Sequence, residues 1–166
     1  MIDFICAGAL FLIYYTAMKE TNPGVTFSIT RNIKDIPRQD WDNLFGIGLI
    51  ESYGYLKTLE ENGVEEFSFG YLLAKRNNRI IFILPFFIMD FSFAMLMPGF
   101  LRKLAGKFNR WLKMRIIFLG SPTTEGFSMG LSPDEKLDII LDLALEELRA
   151  FSGKERIGGI LFYNLL

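Results

Sequence analysis

The stretch that decides the fold of this chain is Arg115-Ile-Ile-Phe-Leu119, followed by Gly120-Ser-Pro-Thr-Thr-Glu-Gly126-Phe-Ser-Met-Gly130 and then Ser132-Pro133-Asp134-Glu135. The first part is rich in β-branched and aromatic residues and predicts a strand, and the second part predicts a loop. In the third part a hydroxyl, a proline and a carboxylate three residues on are typical of a helix start capped by Ser132. Apolar spacing then predicts a helix over residues 133–151, and Ile160-Leu-Phe-Tyr163 predicts another strand. The sequence therefore predicts a strand–loop–helix–strand unit.

The loop and the predicted helix start form a candidate binding site for an anion. Free backbone amides and the positive end of a helix dipole attract phosphate groups, and α/β proteins use them for phosphate-bearing cofactors. The alternative is a loop that only connects two elements, because neither a phosphate-loop nor a dinucleotide fingerprint is present. The candidate cofactor-binding residues are Gly120, Ser121, Thr123, Thr124, Gly126, Gly130 and Ser132.

The composition limits the chemistry. A chain of 166 residues makes about one domain, and its 17 phenylalanines raise the apolar content above that of an average soluble domain. A net charge of −1 gives no case for DNA as a partner. Histidine is absent and Cys6 is the sole cysteine, which excludes Ser-His-Asp and Cys-His catalysis, intrachain disulfides and Cys/His zinc sites, so no metal is expected. Any reaction must use carboxylates, Lys, Tyr, Ser or backbone amides.

Residues 1–24 form an apolar segment that precedes the domain predicted over residues 25–166. Residues 2–18 carry Asp3 as their one charge, and this length is at the lower limit for crossing a bilayer. A membrane anchor or interfacial helix, a buried helix and an upstream extension outside the fold all remain open. The segment is not typical of a secretory signal, because no Lys or Arg precedes the apolar run.

Residues 25–84 alternate between strand and helix patterns. Alternating apolar and polar residues predict a strand over residues 25–30, and Asp35 is a candidate cap for a helix through Trp41. A second helix is expected over residues 52–62, ended by Gly63. Two asparagines, Asn77-Asn78, predict the turn of an antiparallel hairpin.

Residues 80–97 are apolar enough to allow a transmembrane alternative. They carry a single charge, Asp90, but Pro85 interrupts them and a hairpin pattern leads into them, which favours short strands. Asp90 is either a carboxylate that faces water or a candidate catalytic residue, held in apolar surroundings for binding or proton transfer.

Residues 100–115 hold the strongest charge asymmetry. Six Lys and Arg side chains occur there, no acid lies between Asp90 and Glu125, and apolar residues recur at helical spacing. This pattern predicts a basic amphipathic helix, which either binds an anionic membrane surface or an acidic ligand, or is a surface helix with a solvated basic face. The residues expected to meet the membrane are Arg102, Lys103, Lys107 and Arg110.

The order of the elements and four local motifs resemble a known family. The motifs are Ile36-Pro-Arg-Gln-Asp-Trp41, Tyr55-Leu-Lys-Thr-Leu-Glu-Glu-Asn-Gly63, Arg79-Ile-Ile-Phe-Ile-Leu-Pro85 and Phe118-Leu-Gly-Ser-Pro122. They look like the amino-terminal half of large bacterial GNAT-fold acyltransferases related to the FemAB peptidoglycan aminoacyltransferases. The resemblance covers residues 25–166.

This resemblance implies an α/β fold with a GNAT-like mixed, mainly antiparallel sheet flanked by helices, incomplete because the chain is one half of a two-domain protein. It implies transfer of an acyl or aminoacyl group from a thioester or aminoacyl donor to an amine acceptor, with acyl-CoA as the cofactor. The family's Arg/Gln-x-x-Gly-x-Gly/Ala loop is not found, so we expect the non-donor half, which needs a second GNAT-like half. We expect a cytoplasmic, membrane-associated location. Two alternatives stay open, namely a membrane-associated, non-catalytic binding or scaffold domain and an integral membrane protein.

Overall fold

The computed structural model describes residues 24–46, 52–63, 66–92, 113–122 and 128–162. The predicted N-terminal segment up to residue 23, and Arg102, Lys103, Lys107 and Arg110 of the predicted basic helix, lie outside the described residues. Along the chain the elements are β1 (Val25–Thr30), a 3-10 turn (Ile33–Asp35), α1 (Arg38–Phe45), α2 (Tyr53–Asn62), β2 (Ser68–Arg76), β3 (Arg79–Ser92), β4 (Lys113–Leu119), β5 (Gly130–Leu131), α3 (Leu137–Lys154) and β6 (Gly159–Phe162).

The described strands form one sheet. Its order is β1-β2-β3-β4-β6, and β5 pairs with β3 beyond the end of β4. The pairs are antiparallel except for β4 and β6, which are parallel and are connected through α3. A helical crossover is the usual connection between parallel strands. The prediction of a mixed, mainly antiparallel sheet flanked by helices is confirmed.

The hairpin between β2 and β3 is also confirmed. Asn77 and Asn78 have φ angles of 51° and 65°, left-handed conformations that asparagine tolerates better than most residues. The predicted interruption at Pro85 is wrong, because β3 runs through it. The Pro85 carbonyl accepts a hydrogen bond from Gly120 N at 2.9 Å, where β4 ends, and the return bond would need the N–H that proline lacks. Proline is therefore tolerated at the one place in β3 where the neighbouring strand leaves.

Two hydrophobic cores hold the helices against the sheet. On the α3 side, alternate residues of β3 meet one stripe of the helix: Leu84, Phe86, Ile88, Ile140, Ala144 and Leu148. On the opposite side, α1 and α2 pack Trp41, Phe45 and Leu56 against the sheet, and the Trp41 ring stacks on Phe45 with centroids 4.4 Å apart. Complete burial of a large apolar side chain contributes about 1.5–3 kcal/mol, so these contacts fix the helices in place.

The helix starts follow the sequence expectations in part. α2 begins after Ser52, whose hydroxyl accepts from Tyr55 N at 3.4 Å, and it ends at Gly63 with a φ of 60°, as predicted. Asp35 is not a helix cap, because it belongs to the 3-10 turn and its carboxylate accepts from the Thr30 hydroxyl. The next helix, α1, begins only after Pro37.

The prediction of a basic helix over residues 100–115 is wrong at its C-terminal end. Lys113 and Arg115 belong to β4, where Arg115 is the cross-strand neighbour of Asp90. Residues 80–92 form a strand, as favoured over the transmembrane alternative, and residues 93–97 lie outside the described part. Within the ranges described above, no helix has both the length and the apolar character needed to cross a membrane.

Candidate cofactor site

The carboxyl ends of two parallel strands meet at one edge of the sheet. Leu119 at the end of β4 pairs with Phe162 at the end of β6, and the glycine loop follows Leu119 directly. Because α3 runs back between these strands as a crossover, its N-terminus at Lys136 faces the same edge. Ligands of α/β proteins bind outside the carboxyl ends of such strands. This edge is therefore the candidate site.

Backbone contacts with β3 fix both ends of the loop. Gly120 N donates to the Pro85 carbonyl, and Gly130 pairs with Ile83. Those two β3 positions are two residues apart, which is about 7 Å along a strand. The chain therefore leaves the sheet after Gly120 and rejoins it at Gly130 at nearly the same place. Gly120 has a φ of 102°, a conformation that residues with a side chain rarely adopt.

The structure places some of the predicted cofactor-binding residues at this base. Gly120 and Ser121 are buried there, and Ser121 is 1% exposed. Thr123, Thr124 and Gly126 lie outside the described residues. Their role in cofactor binding stays a prediction.

Gly130 also lies at the base, and its neighbours account for the absence of a side chain. A Cβ atom there would come within 2.8 Å of Leu44 Cβ and of two carbons of the Phe45 ring. The glycine is therefore needed for the packing of α1 against β5, whether or not a ligand binds.

The predicted helix cap at Ser132 is wrong, because α3 begins at Leu137. Ser132 is 4% exposed, its N–H donates to the Ile81 carbonyl at 2.8 Å, and its own carbonyl accepts from Glu135 N at 3.0 Å. Residues 132–135 thus extend the β5 pairing and then form a turn. The residue at the actual start of the helix, Lys136, makes no side-chain capping bond to α3.

The carboxylate that was expected to cap the helix binds Arg76 instead. Arg76 donates two hydrogen bonds to Glu135, from Nε to Oε1 at 2.8 Å and from Nη2 to Oε2 at 3.0 Å. This fork geometry is the strong form of an ion pair, and it raises the pKa of Arg76. The pair fastens the turn before α3 to the end of β2. No sequence signal linked these two residues, which are 59 positions apart.

Ser128 is a residue that sequence reasoning missed. Its Oγ atom is buried and has no hydrogen-bond partner in the part of the chain that the structure describes. Buried hydroxyls nearly always have a partner, so this one needs an explanation. Ser128 lies two residues before Gly130, where the loop rejoins the sheet. The loop contains several hydroxyl residues, and the sequence does not say which of them is buried.

Asp90, the candidate catalytic residue, lies far from the loop. It is exposed on β3, five residues beyond Pro85, which corresponds to about 17 Å along the strand. The structure therefore does not bring Asp90 and the described base of the loop together. Its catalytic role stays a prediction, and Asp90 could serve only at a separate site.

A further polar group lies beneath α2, and sequence reasoning did not single it out. The Tyr71 hydroxyl donates to Glu60 Oε1 at 2.6 Å, and the same carboxylate accepts from Ile33 N at 3.1 and 3.2 Å. Burial, and then the bond to Glu60, raise the pKa of Tyr71 well above its usual value. Tyr71 is 1% exposed, and through Glu60 the group holds α2 and the 3-10 turn on β2.

No cluster of three or more His, Cys, Asp or Glu side chains able to hold a metal ion occurs among the described residues.

Comparison with solved structures shows the fold. The chain superposes on a protein described as a probable acetyltransferase with a TM-score of 0.52, at 8% identity over 84% of this chain and 80% of that one. It superposes on an aminoglycoside acetyltransferase from an uncultured soil metagenomic sample, in complex with trehalose, with a TM-score of 0.51, at 10% identity over 86% and 79%. These neighbours are GNAT acetyltransferases, so the chain has a GNAT-type fold.

A looser neighbour is a predicted acetyltransferase with acetyl-CoA from Clostridium acetobutylicum. Its TM-score is 0.44, at 19% identity over 84% of this chain and 80% of that one. No protein-family model matches the chain. No curated protein is similar to it in sequence.

Proposed function

We propose that this chain is an acyltransferase domain that moves an acyl group from acyl-CoA to an amine. The observation that carries the proposal is the base of the loop at the carboxyl ends of β4 and β6, where the buried Ser128 hydroxyl has no hydrogen-bond partner among the described residues. A GNAT-type fold supports it by analogy, because the solved neighbours are named acetyltransferases.

The residues at this edge fit an acyl-CoA, which carries phosphates and amide groups. Gly120 and Ser121 form one side of the loop base, and the Ser128 hydroxyl supplies a hydrogen-bonding group on the other. The first amides of α3 have no capping side chain from Lys136, so they can bind an anion at the positive end of the helix. When bound, acyl-CoA supplies an activated acyl group as a thioester.

The chain's own contribution is then orientation rather than covalent catalysis. Holding donor and amine together removes most of the entropy barrier of such a transfer, and backbone amides can polarise the acyl carbonyl. No nucleophilic side chain is required. Water can remove the proton from the amine, so the distance of Asp90 from the loop is compatible with this chemistry.

The finer parts of the proposal rest on the sequence resemblance and on charge. We include FemAB-type aminoacyl donors and a cytoplasmic location on an anionic membrane surface. The alternative to a donor site on this chain is a role as the non-donor half beside a second GNAT-like half. The support for the membrane surface is the excess of Lys and Arg in residues 100–115, and the support for the non-donor role is the missing Arg/Gln-x-x-Gly-x-Gly/Ala loop. That missing loop also leads us to expect weak binding of acyl-CoA.

Calorimetric titration of the full chain with acetyl-CoA tests the donor site. We expect Ser128→Ala to raise the dissociation constant about 2- to 12-fold, because one hydrogen bond contributes about 0.5–1.5 kcal/mol. Ser152→Ala is the matched control, since that hydroxyl donates to the Arg149 carbonyl on α3 and should leave binding unchanged. Absence of binding, or equal affinity in all three proteins, would refute the donor site. Thiol release on addition of an amine then tests transfer itself.

A further inference from the structure

Within the part of the chain that the structure describes, the outer edge of β1 lacks the usual protection of an edge strand. Among the strands that the structure describes, β1 pairs only with β2. Its sequence, Val-Thr-Phe-Ser-Ile-Thr, contains no charged residue and no proline, and its pairing with β2 runs without a register shift. Edge strands normally carry such features to prevent pairing with other chains. An unprotected edge is a template for a further strand.

The hydrogen bond at Pro85 establishes which neighbouring strand the backbone N–H and C=O groups of each residue face. The Pro85 carbonyl accepts from Gly120, so its backbone faces β4 and not β2. Successive residues of an antiparallel strand face alternate neighbours, so Leu84 faces its β2 partner Leu72. The backbone N–H and C=O of Leu72 therefore bond to β3. Those of Ile29, its partner on β1, point to the outer edge of the sheet.

By the same alternation Val25, Phe27 and Ile29 all present their N–H and C=O groups at the outer edge of β1. Val25 and Ile29 lie two residues before and two residues after Phe27. A two-fold axis normal to the sheet at Phe27 would place Val25 opposite the partner subunit's Ile29, and Phe27 opposite the partner subunit's Phe27. Each outward N–H then finds a C=O, so the edge is complementary to itself.

We propose that β1 is the interface of a homodimer, in which a second copy of this chain adds its own β1 in antiparallel orientation. Such a two-fold contact is closed and uses the same surface on both chains. The inference does not depend on the acyltransferase proposal.

Side chains beside the edge support a second copy as the occupant. A cavity of about 140 Å³ lies between β1 and α3, where Phe27 and Ile29 are only half-buried. A two-fold axis normal to the sheet keeps both copies of α3 on the same face, so the partner's Phe27 and Ile29 extend this apolar surface. Glu147 and Lys154 of α3 also line this cavity. The two-fold axis reverses the direction of the partner's α3, so Glu147 of one copy lies on the side of the interface where the partner carries its lysine, and the opposite charges favour the contact.

The register makes a sharp test possible, because Thr26 would lie directly opposite the partner subunit's Ser28. Both side chains are exposed. Both variants below carry the same Lys at position 26, which lies opposite Lys75 of β2, so circular dichroism must show that each one is folded. The double variant Thr26→Lys/Ser28→Lys places like charges opposite each other. The matched variant Thr26→Lys/Ser28→Glu changes the same two positions but places opposite charges there.

Light scattering coupled to size-exclusion chromatography of the full chain gives the readout. We expect a dimer for the wild type and for Thr26→Lys/Ser28→Glu, and a monomer for Thr26→Lys/Ser28→Lys. A monomeric wild type would overturn the proposal. A dimer that survives Thr26→Lys/Ser28→Lys would place the contact elsewhere, and a monomer in both variants would reject this register.

Discussion

Tyr71→Phe should destabilise the chain through a single lost hydrogen bond. The phenol is 1% exposed and donates to the Glu60 carboxylate at 2.6 Å. A bond to a charged acceptor contributes about 1.5–3 kcal/mol, and phenylalanine fills the same space without replacing it. The Glu60 carboxylate keeps its bonds from Ile33 N, so the loss should not extend beyond this one donor. For a chain of this size we expect the melting temperature to fall by about 3–12 °C.

Denaturant unfolding of Tyr71→Phe gives the free energy directly, with a lower midpoint at an unchanged m-value. Tyr53→Phe is the matched control, because Tyr53 lies in the same aromatic cluster around Trp41 and the described contacts give its hydroxyl no hydrogen bond. That change should cost less than about 0.5 kcal/mol. Equal losses in the two variants would show that removal of any hydroxyl from this cluster is costly, and would refute the role given to the Glu60 bond.

The same bond predicts a pH dependence. Burial and the Glu60 bond raise the pKa of Tyr71 above its usual value of about 10. Below that pH the phenol is protonated in the folded and unfolded chains, so its contribution is complete. Above it only the unfolded chain releases the proton, so the free energy of unfolding falls by about 1.4 kcal/mol per pH unit. In Tyr71→Phe this part of the alkaline loss should disappear.

Two other variants test the base of the loop and the turn before α3. Gly130→Ala should cost about 1–3 kcal/mol in the ligand-free chain, because its Cβ would meet the Phe45 ring, whereas Gly153→Ala in the open α3 surface should be neutral or stabilising. An unchanged melting temperature in Gly130→Ala would contradict the packing role. Glu135→Gln should cost about 1 kcal/mol through weaker bonds to Arg76, and thermal unfolding at low salt measures it.

The sequence predicted the parts of the fold that depend on local conformation. Asn77-Asn78 predicted the hairpin because asparagine tolerates the left-handed angles that a two-residue turn requires. Gly63 predicted the end of α2 for the same local reason, and the structure adds that the Ser52 hydroxyl caps the start of that helix. Such residues carry their structural signal within three or four positions.

The prediction failed where a distant partner decides the outcome. Ser132 and Glu135 have the spacing of a capping box, but Arg76 binds the carboxylate from the end of β2. Pro85 would interrupt a strand in isolation, yet it lies where β4 departs. The candidate site was the hardest part to predict, because the burial of the Ser128 hydroxyl depends on the pairing of Gly130, two residues later, with β3.

The two ends of the sheet carry different polar groups. At the end away from the loop, Arg31 lies over the Phe151 ring at 5.0 Å and near Glu155 at 3.9 Å, and burial lowers its pKa. Charged side chains at that end join β1 to the end of α3. At the loop end the Ser128 hydroxyl has no hydrogen-bond partner among the described residues, and Lys136 gives the first amides of α3 no capping side chain. These neutral donors lie beside the Arg76–Glu135 ion pair and the Asp138 carboxylate of the first helical turn. Neutral donors bind phosphates and polarise carbonyls without moving a proton. In the proposed transfer this edge would therefore hold and orient the donor, and the proton of the attacking amine would leave by another route.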